Sequence, residues 1–335
     1  MVVQLAGFNP SVHSYQSNGF ATTVTHTAAG LWAVRLGGFT SGGGTVQLTQ
    51  YLETGNVGHG YCALDSFGPD LTGTVVNVRC WNDNWSPAAD VTFGVQFNNS
   101  KALPASQYEA FTLASGSFTG TVTPPASAII NHVPRVTHTS VGHYTVEYQL
   151  AAANPFPLAT ALSSTPKVCN IVDWSVGRST LVPTVKARFV RVACFDFAGV
   201  AKDTGFTFLM ASESPLGAVG PVGGHLLTTP AMNVWTTPAT DNLNTTGGTP
   251  KANNSFLSTF NYNTYATDIA VPGFPGGFGL LFTADTLESV GDDGTRCSLE
   301  DPPVQRDGSA HMLVFCTDPK GITVSHVVHG GIWNL

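Results

Sequence analysis

Two stretches of this chain, 112 residues apart (136 − 24), repeat one another and limit its folds more than any other feature. Val24–Val34 reads V-T-H-T-A-A-G-L-W-A-V, and Val136–Val146 reads V-T-H-T-S-V-G-H-Y-T-V. Shared positions include the V-T-H-T tetrapeptide, a glycine, an aromatic residue and a closing valine. A third, worn copy keeps only the strand that follows, since Val34–Phe39 (V-R-L-G-G-F) matches Ile269–Phe274 (I-A-V-P-G-F). Self-similarity at a fixed offset means that one supersecondary unit is used several times.

The rest of the unit follows by alternation. Residues two apart on a strand share a face, so Trp32, Val34 and Leu36 face one core and Tyr144, Val146 and Tyr148 another. Next come a strand at Thr45–Leu52, Leu158–Leu162 or Phe278–Ala284 and a first cysteine at Cys62, Cys169 or Cys297. A strand with a second cysteine follows at Cys80, Cys194 or Cys316, and then a closing strand whose third copy near Val328–Ile332 is irregular. Opening strands are expected at 2–6, 110–114 and 232–236. About seven short strands per ~100 residues predict an all-β chain of three tandem Ig-like or fibronectin-like β-sandwich repeats, each with one disulfide. Their bounds are 1–98, 107–210 and, for the divergent third, 231–335. Asn98–Ser106 and the Pro/Gly-rich Ala211–Pro230 are the expected linkers.

Composition agrees. At 335 residues the chain is too long for one ordinary core and suits three. Charged residues make up 10%, hydrophobic residues 42%, and Gly and Pro number 36 and 21, a turn-rich rather than a disordered balance. A net charge of −7, with 14 Lys+Arg and no basic cluster, excludes nucleic acid as the expected partner. No apolar run approaches the ~20 residues of a membrane span. The opening M-V-V-Q-L-A-G-F-N-P lacks the basic and apolar regions of a signal peptide.

The six cysteines fall two to each unit, and the simplest pairing is Cys62–Cys80, Cys169–Cys194 and Cys297–Cys316. Such bridges imply an oxidising compartment, extracellular or at a cell surface; the alternative is six buried free thiols. Zinc is disfavoured because the cysteines stand singly rather than in C-x-x-C pairs.

Signals for chemistry are weak. His26 and His138 occupy one repeat position and read as hydrogen-bonded structural histidines, the third copy having Asn261 there. Asp90 and Asp203 precede the closing strand and read as acceptors of turn N–H groups. Asp292-Asp293-Gly-Thr lacks the spacing of a calcium loop, and His326 and His329, three apart, face opposite ways on a strand. No G-x-S-x-G elbow or distinctive carboxylate pair appears, so no catalytic residue, metal or cofactor is expected. The candidate binding residues are the aromatics Trp81, Trp85, Phe195 and Phe197, which suit sugar stacking or protein contacts if exposed. Val2, Val3, Gln4, Leu5 and Ala6 form a candidate assembly strand, expected to pair outside its own repeat.

These residues resemble secreted bacterial tandem β-repeat proteins whose units read roughly G-x-Y-x-V-x-F-x-G, then Cys, then V-x-V-x-C-F-x-x-x-G-x-x-x-D-x-x-F. Gly142, Tyr144, Val146, Cys169, Val190, Val192, Cys194, Phe195, Gly199, Asp203 and Phe206 carry the likeness in the second unit. Gly30, Trp32, Val34, Cys62, Val76, Val78, Cys80, Asp90 and Phe93 carry it in the first. The third departs, with Tyr265 for the first glycine and Ser325 for the aspartate. The resemblance implies export and tandem β-domains and brings no activity with it. The expected function is a non-enzymatic extracellular structural or adhesive protein, self-assembling into a surface layer or filament. A carbohydrate-binding module using loop aromatics is the alternative, and an enzyme the least favoured class.

Overall fold

The computed structural model describes residues 2–3, 19–40, 44–51, 60–82, 86, 91–98, 108–113, 115–123, 134–148, 155–212, 222–227, 235–236, 243–244, 251–257, 264–272, 283–289, 291–299, 304–306, 309–324 and 328–334. These residues contain strands and no helix. The first stretch of chain holds β1 (Val2–Val3), β2 (Thr22–Ala28), β3 (Leu31–Gly37), β4 (Thr45–Tyr51), β5 (Tyr61–Pro69), β6 (Gly73–Trp81) and β7 (Thr92–Asn98). The second holds β8 (Tyr108–Leu113), β9 (Thr121–Val122), β10 (Arg135–Ser140), β11 (His143–Tyr148), β12 (Pro155–Leu162), β13 (Lys167–Arg178), β14 (Lys186–Asp196) and β15 (Gly205–Ser212). In the third are β16 (Val222–Leu227), β17 (Trp235–Thr236), β18 (Leu243–Asn244), β19 (Lys251–Leu257), β20 (Thr264–Pro272), β21 (Thr283–Ser289), β22 (Arg296–Leu299), β23 (Val304–Arg306), β24 (Ser309–Thr317), β25 (Thr323–Val324) and β26 (Val328–Asn334).

Within each stretch the strands pair antiparallel in one order. β2-β3-β6-β5 corresponds to β10-β11-β14-β13 and β19-β20-β24-β22, while β1-β7-β4 corresponds to β8-β15-β12 and β16-β26-β21. The duplicated hairpins share their register: Val24 lies opposite Val34 and His26 opposite Trp32, as Val136 lies opposite Val146 and His138 opposite Tyr144. Both carry an irregularity just after the histidine. Both turn on a glycine of positive φ, Gly30 at 68° and Gly142 at 73°, where a side chain would be strained. Beyond Gly142 there is also no room, since an added Cβ would lie 2.6 Å from the Cys194 carbonyl oxygen.

Alternation builds the cores. Trp32, Val34 and Leu36 on β3 pack with Val76, Val78 and Cys80 on β6, and Tyr144 and Val146 on β11 with Val190, Val192 and Cys194 on β14. Each disulfide joins directly opposed residues: Cys62–Cys80, Cys169–Cys194 and Cys297–Cys316. Cys194 directs its N–H and C=O away from β13, to Gly142 and Lys202. Cys169 and Cys194 are therefore a non-hydrogen-bonded pair, the position where antiparallel strands come closest.

The three stretches join in cyclic order. β5 of the first pairs parallel with β12 of the second (Leu64 opposite Leu162), and β22 of the third pairs parallel with β4 of the first (Tyr51 opposite Leu299). At the remaining junction the Gly291 N–H, just past β21, donates to the Ile171 carbonyl on β13 at 3.0 Å. Ser163, just past β12, makes the corresponding bond to Leu64 at 2.7 Å. At the β22–β4 seam both faces of β4 are covered, so Thr45 through Gln50 are all buried.

Several sequence expectations change. The opening strand of the third stretch is β16, paired with β26, and it lies inside the expected linker 211–230; its V-G-G-H-L-L sequence resembles a linker because its two glycines contribute no apolar face. Trp235–Thr236 instead pairs with β19 at a sheet edge. The closing strand β26 is a regular seven residues. The expected strand Phe278–Ala284 overlaps β21 at Thr283 and Ala284, and its earlier residues lie outside the described residues.

Candidate functional site

Asp203 joins two turns of the second stretch. It sits between β14 and β15, where its carboxylate accepts the Gly142 N–H at 2.7 Å and lies 2.9 Å from His138 Nε2. Tyr144, beside His138, donates its hydroxyl to the Gly116 carbonyl at 3.2 Å and accepts the Thr204 N–H at 3.1 Å. Burial pushes the Tyr144 phenol up to about 12, against the Thr204 N–H and with the Asp203 charge. Burial alone would raise the Asp203 carboxyl, but the Gly142 N–H and His138 outweigh it and hold it below the usual carboxylate range. The cluster ties the β10–β11 turn to the start of β15. In the first stretch His26 stacks on Trp32 at 4.3 Å; Asp90 lies outside the described residues.

A group whose folded pKa is depressed contributes stability above its unfolded pKa, and that stability is lost as pH falls through the folded value. Asp203→Asn is expected to cost about 2 kcal/mol at neutral pH, the size of a hydrogen bond to a charged group. The gap from the parent should close as pH falls below about 4. Urea unfolding at a series of pH values measures both.

The aromatics chosen as binding residues are buried. Trp81 is 4%, Phe195 4% and Phe197 1% exposed, so none is available to stack on a ligand; Trp85 lies outside the described residues. The reason is the seam. Phe197 of the second stretch packs edge-on to Tyr61 (5.1 Å) and Trp81 (6.1 Å) of the first, and the Arg296 guanidinium of the third lies 4.5 Å from its ring centre. Three parts of the chain meet on this ring.

The candidate assembly strand is likewise engaged at home, Val2 lying opposite Gly94 and Val3 opposite Phe93 on β7; Gln4, Leu5 and Ala6 lie outside the described residues. β8 pairs with β15 of its own stretch in the same way. Of the acidic pair, Asp293 caps a turn by accepting the Thr295 N–H at 3.0 Å, while Asp292 reaches across to His143 Nε2 at 2.8 Å. His329 stands on β26, and His326 lies outside the described residues.

The seams also gather polar groups that sequence reasoning missed. Thr160 on β12 donates to Gln47 Oε1 at 2.7 Å and accepts the Leu48 N–H at 3.3 Å. Thr207 donates to the Val46 carbonyl at 2.5 Å, and Asn170 Nδ2 donates to the Thr295 carbonyl at 3.0 Å. The signal was faint. Gln47 and Thr49 alternate with Val46 and Leu48, as solvent-facing residues of an ordinary strand would.

A cleft of about 720 Å³ opens between the first and second stretches. Asp65–Pro69 line one side, and Ser115–Ser117, Ser163–Thr165, Lys167 and Asp203–Gly205 the other. Hydroxyls dominate it, with Phe67, Asp65 and Lys167 among them; Asp65 already pairs with Arg79 at 3.3 Å.

Among the described residues no helix is long and apolar enough to cross a membrane. Compared with known proteins, the chain matches no family model, no curated protein and no solved structure.

Proposed function

We propose that the chain is a non-enzymatic extracellular protein in which three repeats of one Ig-like β-sandwich close into a ring, serving as a rigid structural or adhesive component. The observation that carries this reading is the cyclic order of the seams: each stretch lends a strand edge to the next, and the third returns to the first. A contact that repeats head to tail builds a ring when its rotation closes and a filament when it does not. Here the closure is internal, so any further assembly uses the outer edges, such as β2, which ends its sheet among the described residues. The three disulfides favour an oxidising compartment, in keeping with the resemblance to secreted bacterial repeat proteins.

The test is light scattering on size-exclusion fractions together with negative-stain imaging at rising concentration. Ordered oligomers or fibres support a structural role, and compact monomers at every concentration count against self-assembly. The cleft favours a second reading, carbohydrate binding, because a hydroxyl-rich groove with one aromatic wall suits a short glycan. Glycan-array binding that is lost in Phe67→Ala supports that reading, and an array with no signal removes it.

A further inference from the structure

The hairpin β13–β14 is longer than its counterparts. Its cysteines stand 25 residues apart, against 18 and 19 in the other two bridges. The additional residues form a tip that carries four of the exposed large aliphatics found among the described residues: Val176 (58%), Leu181 (52%), Val182 (42%) and Val185 (38%).

This tip is built rather than loose. The Ser179 N–H donates to the Val185 carbonyl at 2.9 Å and the Val185 N–H to the Val182 carbonyl at 2.8 Å. Ser179 Oγ accepts the N–H groups of Leu181 and Val182, both at 3.2 Å. Glu147, on neighbouring β11, anchors the base by accepting Ser179 Oγ at 2.8 Å and the Thr180 N–H at 2.7 Å. The turn thus holds its aliphatic side chains outward on an ordered backbone.

The charge around the tip opposes that of the whole chain. Trp174–Arg191 contains Arg178, Lys186, Arg188 and Arg191 and no acid, in a protein of net charge −7. Arg191 is bonded to Asp173 on the outer face. Arg178 and Lys186, both exposed, lie directly opposite one another on the two strands. Like charges so placed destabilise a strand pair, and an anion bound between them removes that repulsion.

We infer that this hairpin tip docks on an anionic lipid surface, with Leu181, Val182 and Val185 entering the interface and Arg178 and Lys186 meeting the headgroup phosphates. Aliphatics flanked by cations are the pattern of an interfacial membrane contact. An anionic polymer would call on the cations alone and leave the exposed aliphatics without a role. The contact is peripheral and needs no spanning segment.

The experiment is co-sedimentation of the full, disulfide-intact chain with phosphatidylcholine vesicles, with and without phosphatidylglycerol. Binding is expected only to the anionic vesicles. It should weaken about fivefold for each cation removed, and much more in Arg178→Glu/Lys186→Glu. Leu181→Ser/Val182→Ser keeps every charge and should also lose most of the binding. Circular dichroism and thermal unfolding show that each variant remains folded, as substitution at exposed positions predicts. Val182→Trp adds an independent readout, because brominated lipids should quench its fluorescence beyond that of the parent chain. Failure to sediment with either vesicle overturns the proposal. So does equal binding to neutral vesicles. Binding that survives Leu181→Ser/Val182→Ser but falls on charge reversal overturns it in favour of an anionic polymer.

Discussion

Replacing Phe197 by alanine is expected to destabilise the protein by about 4 kcal/mol, the usual range for a large buried aromatic, and to split its unfolding into separate transitions. The ring is almost wholly buried and belongs to one part of the chain, while the two rings and the guanidinium packed on it belong to the other two. Its loss leaves a void beside Tyr61 and Trp81. It also leaves the Arg296 guanidinium, itself buried, without the π-face that offsets its desolvation. Domains that unfold together do so because their interfaces couple them; once the junction is weakened, each is free to melt at its own midpoint. Differential scanning calorimetry reads this directly. A single transition with a van't Hoff enthalpy equal to the calorimetric one, at an unchanged midpoint, would show that the junction contributes little.

Removing the Cys169–Cys194 bridge by double alanine substitution is expected to cost about 3.5 kcal/mol from the loop it closes. The two cysteines are buried in the second core, on the same strand faces as Ile171 and Val192, so their loss also opens space in the packing. The effect should be confined at first to the second part of the chain. Denaturant unfolding followed by protease sensitivity within 107–210 checks both the size and the place. A loss below about 1 kcal/mol would mean that the unbridged chain retains most of the constraint in its unfolded state.

The sequence made the strands legible but not the seams. Val34, Val76 and Val190 announce themselves because each strand has one wet and one dry face, so period-two alternation survives. β4 alternates just as cleanly, T-V-Q-L-T-Q, yet Gln47, Thr49 and Gln50 are as buried as Val46 and Leu48. The Gln47 side chain is satisfied by partners far along the chain, Thr160 and Thr207, and no local pattern encodes a partner that distant. The same blindness misplaced the aromatics. Trp81 and Phe195 each follow a bridged cysteine and so point to the face opposite the disulfide, but the aromatic partner of Trp81 on that side, Phe197, belongs to another part of the same protein. His138 was legible as a hydrogen-bonded histidine and Asp203 as an acceptor of a turn N–H, but the sequence did not show that the two meet each other, or that the turn Asp203 serves is the one at Gly142, 61 residues away. β16 failed for the opposite reason, as its glycines erased the apolar signature that its partner β26 makes unnecessary.

The closing seam has a consequence for the order of events during synthesis. Leu64 and Leu162 are within reach as soon as the second part emerges, whereas Tyr51 must wait for Leu299, near the far end of the chain. Until then the edge of β4 stays open on a protein that is otherwise largely folded. Contacts this remote in sequence form late, and an unpaired edge on a partly made chain invites the matching strand of a neighbour. Two chains that exchange their third parts at this step satisfy every hydrogen bond of the monomer. Rapid refolding at high concentration should therefore yield interlocked dimers that slow, dilute refolding avoids, distinguishable by light scattering although their spectra coincide.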